Sequence, residues 1–462
     1  MAQTPGDPDH ATPIEVLVTA DQAYTRLEQL FLNAQHRIRM GFRLFDPTTQ
    51  LLSQEALAVG ATWYDLLRDT LERGVAIDLT LSDFDPVMAN DMHVQAWGFV
   101  RRYVALNEQT GPGAGRMTVR CLLHPAEGGL APRLMFCFRT RSELSKVVEG
   151  LNRNPDPHAA LRRVPGVWEW VRVRQGRVVV RPFALPRVYP ATLHHKVAVI
   201  DDALTCIGGL DVNNRRIDDT DHEQPAKDTW HDVEMVLRDR VIAGSAERFL
   251  ADMPLVTAGQ KSVARAAPPF LRTLSRRRRL NRFSLAPKTL TAEIPMAHLA
   301  HIHRAKTLVY LESQYFRDRR IARALKHAVR RAPGLHLLPR LPAAPADVAF
   351  RSRPGLDARF GEYLQARAIR KMQRAFGDRF LVISPAQPRP ASADDRAQGR
   401  ATLADAPIVY THSKVSIFDD TAAIVSSANL NGRSMKWDSE AGSFCTTRPI
   451  LPSCARRCST TG

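Results

Sequence analysis

Histidine, lysine and aspartate occur twice in this chain at one shared spacing. The two sets are His194, Lys196, Asp201 and His412, Lys414, Asp419. Each aspartate is followed, after six residues, by a turn of small residues that ends in a polar side chain. These turns are Gly208-Gly209-Leu210-Asp211 and Ser426-Ser427-Ala428-Asn429. Because the copies lie almost half the chain length apart, the repeat predicts a duplicated half-site.

The pattern within each copy predicts a β-strand, because it is rich in valine and isoleucine and ends in the turn signal Asp-Asp. Alternate residues of a strand share a face, so the histidine and lysine of one copy point the same way. Val197 and Val199 then point into a core. The motif aspartate falls on the face opposite its histidine. We therefore interpret the following residues as structural: Asp201, Asp419, Gly208, Gly209, Ser426 and Ser427.

The residue types in the two copies are those that cleavage of a phosphodiester requires. Such a diester is an anion, so positive charge must be held where negative charge develops, and two lysines can supply it. An imidazole can act as a covalent nucleophile or as a general acid near neutral pH. A single copy is most often only the polar face of a strand. Two facing copies place one histidine on each side of the phosphorus.

The duplicated pattern resembles the signature of the phospholipase D superfamily, from about residue 16 to about residue 442. Segments 230–233, 310–316 and 429–440 are also similar to family segments and follow the family order. The resemblance implies an α/β fold. Two similar α/β/α sandwich halves, related by a pseudo-two-fold axis, would hold the active site at their interface. We place these halves at residues 1–255 and 256–462.

The resemblance also implies a role for each histidine. His194 would be the nucleophile that forms a phosphohistidine intermediate. His412 would protonate the leaving alcohol and then activate water or an acceptor alcohol. Each imidazole would be oriented by a carboxylate of the opposite half, Asp232 for His412 and Glu440 for His194. Such crossing would tie the two halves into one site.

Phosphate oxygens would be held by Lys196, Lys414 and Asn429, with Asp211 at the matching turn position of the first copy. The implied mechanism requires no metal ion or other cofactor. Ser426 departs from the family pattern, where glycine is usual, and a positive φ there would strain serine and reduce activity. The tail after residue 442 departs as well, since it lacks helical periodicity and contains two prolines and three cysteines. We interpret it as a truncated or altered end.

The net charge of +18, which comes mainly from arginine, predicts attraction to phospholipid headgroups or to nucleic acid. The densest run, residues 276–279, is more typical of a solvated connector between the halves than of a binding patch. No apolar run reaches the roughly 18 residues that cross a bilayer. Residues 1–12 lack the pattern of a signal peptide. We expect a cytoplasmic monomer in peripheral contact with anionic membranes; export by a signal-less route is the alternative.

Helical and strand-like segments alternate in both parts of the chain. Helices are predicted at 20–36, 62–73, 297–306, 321–331 and 359–376, and strands at 37–45, 75–81, 307–315, 335–338 and 380–383. Residues 84–115 are interpreted as an insert. Trp168 and Trp170 are interpreted as alternate residues of one strand.

Four functions are compatible with these observations. The favoured one is a phospholipase D-type enzyme that hydrolyses glycerophospholipids or exchanges their headgroups, because segments 230–233 and 310–316 resemble phospholipases more than nucleases. A phosphatidyltransferase similar to cardiolipin synthase would use the same chemistry, although such enzymes usually carry N-terminal membrane helices. A nuclease of the superfamily is disfavoured, since the small ones have one motif and dimerise. A degenerate protein that only binds anionic surfaces is the fourth possibility.

Overall fold

The computed structural model describes residues 14–264, 266–350, 355–397 and 400–445, so the tail interpreted as altered lies outside the described residues beyond Cys445. The strands are β1 (Ile14–Val18), β2 (Arg37–Phe42), β3 (Ala76–Ser82), β4 (Met117–Leu122), β5 (Val171–Arg174), β6 (Arg177–Val180), β7 (Val197–Ile200), β8 (Leu204–Gly208), β9 (Val233–Arg238), β10 (Phe270–Arg276), β11 (Lys288–Ala292), β12 (Leu308–Glu312), β13 (His336–Arg340), β14 (Thr402–Leu403), β15 (Ala406–Pro407), β16 (Val415–Phe418), β17 (Ala422–Ser426) and β18 (Glu440–Cys445). The helices are α1 (Thr19–Asn33), α2 (Gln54–Leu57), α3 (Trp63–Glu72), α4 (Asn90–Gln109), α5 (Leu130–Met135), α6 (Cys137–Asn152), α7 (Pro157–Arg162), α8 (Arg240–Ala258), α9 (Glu293–Arg304), α10 (Arg319–Arg331), α11 (Ala346–Ala349), α12 (Leu356–Phe376) and α13 (Ala393–Arg396).

Two large mixed sheets share one strand arrangement. Their orders are β1-β9-β8-β7-β2-β3-β4 and β11-β10-β18-β17-β16-β12-β13. From β9 to β3 and from β18 to β13 the strand directions match, with antiparallel pairs followed by one parallel pair. The predicted class, two similar α/β halves, is confirmed. Helix α8 spans the predicted division at residue 255, and the division itself stays a prediction.

The core that lies between the two sheets joins the halves. It combines Val197 and Val199 of β7, Val415 and Ile417 of β16, and apolar side chains of α8 such as Phe249. The opposite faces of both sheets are also covered, by α1, α3 and α4 in the first half and by α9, α10 and α12 in the second. The motif strands are therefore buried on both faces. Among the described residues, no helix combines the length and apolar character needed to traverse a bilayer.

Most predicted elements near the motifs occur as expected, and three predictions were wrong. Residues 84–115 are not an insert, because α4 is the crossover that joins parallel β3 and β4. Trp168 and Trp170 lie in a turn before β5, where only Trp170 is buried. Residues 380–383 form isolated bridges in place of a strand. In the α4 region the helical period is carried by residues of mixed polarity, and its buried positions are His93, Ala96, Phe99, Tyr103 and Leu106.

The two motif aspartates anchor the end of each motif strand. The Asp201 carboxylate accepts hydrogen bonds from the backbone amides of residues 35–37 at 2.8–3.0 Å. The Asp419 carboxylate accepts from the amides of residues 306–308 at 2.9–3.0 Å. Partial burial alone would raise the pKa of each carboxyl, but these backbone hydrogen bonds outweigh it and lower the pKa. Both residues adopt positive φ, which aspartate tolerates better than most residues.

We expect Asp419→Asn to lower the free energy of unfolding by about 1–2 kcal/mol at pH 7. Asparagine tolerates the positive φ but accepts through one oxygen and carries no charge. Because the folded-state pKa of Asp419 is depressed, its contribution is present above about pH 4 and is lost as pH falls through the folded value. Denaturant titrations of variant and wild type should therefore converge in acid. A difference that persisted there would contradict this account; Glu223→Gln on the surface is the control.

Candidate active site

The segments that carry the two histidines pair with the opposite half of the molecule. The backbone amide of His194 donates to the Ser439 carbonyl at 2.9 Å, and that of His412 donates to the His231 carbonyl at 2.8 Å. Each exchange accompanies an isolated parallel bridge between the halves. The crossing therefore begins in the main chain, one residue before each of two acidic side chains.

Those acidic side chains orient the two imidazoles. Nδ1 of His194 lies 3.1 Å from Oε2 of Glu440, and Nδ1 of His412 lies 2.6 Å from Oδ2 of Asp232. Both carboxylates are fully buried. The structure thus brings together the crossed pairs that the sequence predicted. With Nδ1 engaged in each ring, Nε2 is the nitrogen left for chemistry in the cleft that both histidines line.

Each motif lysine lies beside the histidine of its own half. Nζ of Lys196 donates to the His194 carbonyl at 2.7 Å, and Nζ of Lys414 donates to the His412 carbonyl. The Lys414 ammonium is also 2.8 Å from Nδ1 of His412. Both lysine side chains are almost fully buried. The four side chains therefore form one compact group at the interface of the halves.

The two turn residues differ in their surroundings. Oδ2 of Asp211 lies 3.6 Å from Nζ of Lys196 and 3.9 Å from Nη1 of Arg43. Burial would raise the pKa of Asp211, but these cations outweigh it and lower the pKa. As an anion Asp211 accepts and cannot donate to a phosphate, so its position suits an ionic partner of Lys196 better than the predicted phosphate contact. At the matching position Asn429 meets neutral Gln314, at 3.5 Å.

Burial governs the protonation of this group. It lowers the pKa of His194 and His412 well below the ordinary value, and the neighbouring lysine charges add to that effect. It also lowers the pKa of Lys414 to about 7 and raises the pKa of Glu440 to about 7. Burial acts on Asp232 as well, but the charges of Lys414 and His412 reverse the effect and lower its pKa. Near neutral pH Asp232 is ionised, whereas Glu440 is close to half protonated.

The positive φ that would strain Ser426 does not occur. Ser426 ends β17 and is not among the described residues of positive φ. It faces Gly442 across the strand pair, where an added Cβ would come within 2.5 Å of the Ser426 Cβ. In the first half Gly208 faces Glu234, and a Cβ on Gly208 would lie 2.4 Å from that carboxylate. The glycine of this strand pair therefore lies on β8 in the first half and on β18 in the second. Both halves keep the close packing, and Ser426 is not strained.

The next turn position contacts the orienting carboxylate in both halves. Oγ of Ser427 donates to Oε2 of Glu440 at 2.5 Å. In the first half a Cβ on Gly209 would lie 2.0 Å from Oδ1 of Asp232, so a glycine is required there. Both residues were predicted to be structural. Their contacts indicate that each one helps to position the carboxylate that orients a histidine.

A buried network around Glu312 supports the second motif and was not assigned a role from the sequence. Oε2 of Glu312 accepts from Oγ of Ser413 at 2.5 Å and lies 3.4 Å from Nε2 of His231. Arg340 lies 3.4 Å from the other oxygen. Ser413 and His231 adjoin His412 and Asp232 in sequence, so the network positions both. Its signal was the family-like segment 310–316, which contains Glu312.

Both histidines open onto one cleft of about 2310 Å³ between the halves. Arginines from both halves contribute to its wall, among them Arg43, Arg216, Arg317 and Arg433. Asn429 lines the same cleft. Within the described part of the chain, no group of three or more histidine, cysteine, aspartate or glutamate side chains is arranged to hold a metal ion. The wall therefore suits an anionic substrate larger than a single phosphate.

Known proteins resemble this chain in sequence over one part and in fold over nearly all of it. Residues 299–457 match the family described as cardiolipin synthase, phospholipase D-like domain. The structure of phosphatidylserine synthase from Haemophilus influenzae Rd KW20 is 14% identical and covers 97% of this chain and 85% of its own, with a TM-score of 0.54. Polyphosphate kinase from Porphyromonas gingivalis is 9% identical and covers 97% of this chain and 49% of its own, with a TM-score of 0.44. No curated protein matches. The superfamily resemblance drawn from the motifs is confirmed.

We expect Asp232→Asn to change which ring nitrogen of His412 carries the proton. The amide can present an N–H group to Nδ1, so the ring shifts toward its Nε2–H tautomer. Loss of the negative charge should also lower the pKa of His412 further. Nitrogen NMR of isotope-labelled histidine measures both effects. Asp228→Asn, which alters another acid of the cleft wall, should leave the His412 signals in place; an unchanged tautomer in Asp232→Asn would disprove the assignment.

Proposed function

We propose that this chain, which belongs to the phospholipase D superfamily, cleaves a phosphodiester bond of a glycerophospholipid and transfers the phosphatidyl group to an acceptor alcohol or to water. The observation that carries this proposal is the facing pair of motifs, each with its imidazole held by a carboxylate of the opposite half. The arginine-rich cleft supports an anionic substrate. The similarity to the cardiolipin synthase domain family and to the fold of phosphatidylserine synthase favours transfer over hydrolysis.

In the first step Nε2 of His194 attacks the phosphorus. A phosphorus–nitrogen bond forms while the bond to the leaving oxygen breaks, and His412 donates its Nε2 proton to that oxygen. Burial favours the neutral imidazole that a nucleophile must be. Lys196, Lys414 and Asn429 stabilise the negative charge that develops on the phosphate oxygens.

In the second step the phosphohistidine is resolved. Neutral His412 removes a proton from the acceptor alcohol or from water, and the acceptor oxygen attacks the phosphorus. The phosphorus–nitrogen bond then breaks, which returns His194 to its neutral form and His412 to its protonated form. Each proton that leaves His412 in the first step is thus recovered in the second.

The unlike carboxylates support this division of labour. Asp232 is ionised and lies 2.6 Å from His412, so it stabilises the imidazolium form that an acid requires. Glu440 is more distant from His194, at 3.1 Å, and its pKa of about 7 leaves it partly neutral. The carboxylate beside His194 therefore stabilises the protonated imidazole less than Asp232 does beside His412. A bound phosphodiester adds negative charge that raises the pKa of His412 toward a working range.

We expect purified protein, incubated with mixed phospholipid vesicles and ethanol, to form phosphatidylethanol together with phosphatidic acid. Mass spectrometry of the lipid extract measures both. His194→Ala should lower turnover by roughly 10⁴-fold or more, because the nucleophile is lost. His303→Ala, on the surface, is the matched control. Lipid products at full rate from His194→Ala would refute the mechanism.

Product identity also separates the alternatives. Phosphatidic acid alone would identify a hydrolase. Cleavage of nucleic acid, without any lipid product, would identify a nuclease and refute a lipid substrate. A folded protein that binds anionic vesicles but turns over neither substrate would be the degenerate binder.

We expect kcat/KM to fall at both low and high pH. Protonation of His194 removes the nucleophile below its lowered pKa, so the acid limb lies below pH 6.5. On the alkaline side kcat/KM falls first as His412 of the free enzyme loses the proton that the first step requires, and it falls again at about pH 7 as Lys414 loses its charge. Lys414→Arg should lower the rate but remove the fall at about pH 7, because a guanidinium stays charged. Glu440→Gln should retain the fall at about pH 7. If the fall disappeared in Glu440→Gln instead, it would be assigned to the Glu440 carboxyl.

A further inference from the structure

Large apolar side chains are exposed together on one edge of the molecule. Among the described residues, the five most exposed are Phe183 at 97%, Leu280 at 95%, Phe138 at 86%, Phe283 at 81% and Met135 at 69%. Soluble surfaces rarely expose large apolar groups side by side without a partner. The concentration of all five in three short segments therefore requires an explanation.

The three segments are joined by hydrogen bonds. The amide of Ala131 donates to the Arg282 carbonyl at 2.8 Å, which connects residues 129–138 with residues 280–284. Nη1 of Arg141 donates to the carbonyls on both sides of Phe183, at 2.8 and 3.1 Å. Arg141 and Phe138 are three residues apart on α6 and so share a helix face. We name the surface formed by Met135, Phe138, Phe183, Leu280 and Phe283 the apolar rim.

Arginines surround the apolar rim and carboxylates are absent from its segments. Exposed arginines lie within two residues of the apolar residues in sequence: Arg139, Arg181, Arg279 and Arg282. Residues 130–139, 181–185 and 277–284 contain no aspartate or glutamate. The nearby Glu127 is engaged with Arg187 at 3.5 Å and Arg277 at 3.7 Å. The rim thus combines apolar groups with uncompensated positive charge.

The apolar rim adjoins the mouth of the catalytic cleft. Residues 286–289, which begin three residues after Phe283, line the cleft together with Arg278. On the other side Val188 and Tyr189 line it, a few residues after Phe183. The amide of Gly128 donates to the Val188 carbonyl at 2.8 Å, which fixes this side to the rim. A molecule held at the rim is therefore next to the entrance of the site.

We propose that the apolar rim is the surface on which the protein docks to an anionic phospholipid bilayer. Side chains that project almost fully exposed suit insertion into an interface better than a flat protein contact, and the arginines match headgroup phosphates. Docking there lets a lipid enter the cleft while its acyl chains remain near the bilayer. The choice of a lipid surface rests on the proposed function, but docking itself is measured without turnover.

The test uses the full chain carrying His194→Ala, so that no lipid is consumed. Co-sedimentation is measured with vesicles of phosphatidylcholine, alone and mixed with phosphatidylglycerol. The added pair Phe138→Ser and Phe183→Ser should weaken binding to the mixed vesicles about 10-fold or more, because two phenyl rings no longer leave water. The matched control pair, Met296→Ser and Leu381→Ser, removes exposed apolar groups elsewhere and should not change binding. Equal binding by both pairs would overturn the proposal.

Insertion is measured directly with tryptophan placed in the rim. Fluorescence of Phe138→Trp should be quenched by lipids brominated on the acyl chains, whereas that of Leu381→Trp should not. Quenching of neither would overturn the proposal. Two other results would also overturn it: self-association of the protein, or binding to RNA in place of vesicles, if the two serine substitutions abolished it. In either case the rim would bind another macromolecule and not a bilayer.

A short-chain phospholipid in monomeric form separates docking from catalysis. With His194 intact, the pair Phe138→Ser and Phe183→Ser should turn over the monomeric lipid at the unaltered rate and lose turnover on vesicles. Vesicle binding that depends on the rim, without turnover of any lipid, would refute the proposed function and leave docking in place. Equal turnover on vesicles would refute docking and leave the proposed function in place.

Discussion

The hydrogen bond from each imidazole to a carboxylate of the other half is the constraint on which the site depends. For this bond to form, the residues before each motif strand must leave their own sheet and pair with the opposite half. They do so through the isolated bridges at Ser439 and His231. The apolar core between the sheets then has to hold two halves in one register. Neither half contains a complete site, because each supplies the orienting group of the other.

Close packing at the crossing explains where the halves depart from exact symmetry. A side chain and a glycine face each other at matching positions, but the glycine is Gly208 in one half and Gly442 in the other. The middle residue of each motif behaves in the same way. His195 packs against Gly41, where a Cβ would lie 2.6 Å from its ring, whereas small Ser413 faces Glu312. The total side-chain volume at each of these contacts is similar in the two halves. The strand that carries the larger side chain differs between them.

The motifs could be predicted from the sequence because their residues are close in the chain. The spacing of His194 and Lys196 predicts a site because it recurs at His412 and Lys414, and the alternation of apolar residues predicts the strands that carry it. Exchange of volume between strands could not be predicted, since Ser426 and Gly442 are adjacent only after the sheet forms. The helix α4 was missed for a related reason: its buried face mixes histidine with apolar residues, and only packing distinguishes that face.

Charge balance explains why the buried lysines are tolerated. An ammonium transferred from water into a protein interior is strongly destabilised unless anions lie close to it. Asp211 compensates Lys196 directly, and Asp232 lowers the free energy of the Lys414 ammonium. Glu440 keeps a raised pKa because the effect of its burial outweighs the lowering effect of the Lys196 and Lys414 charges. The site is therefore nearly neutral inside a strongly cationic cleft. The phosphodiester that we propose as the substrate would be attracted by the wall and would meet lysines whose positive charge is only partly compensated.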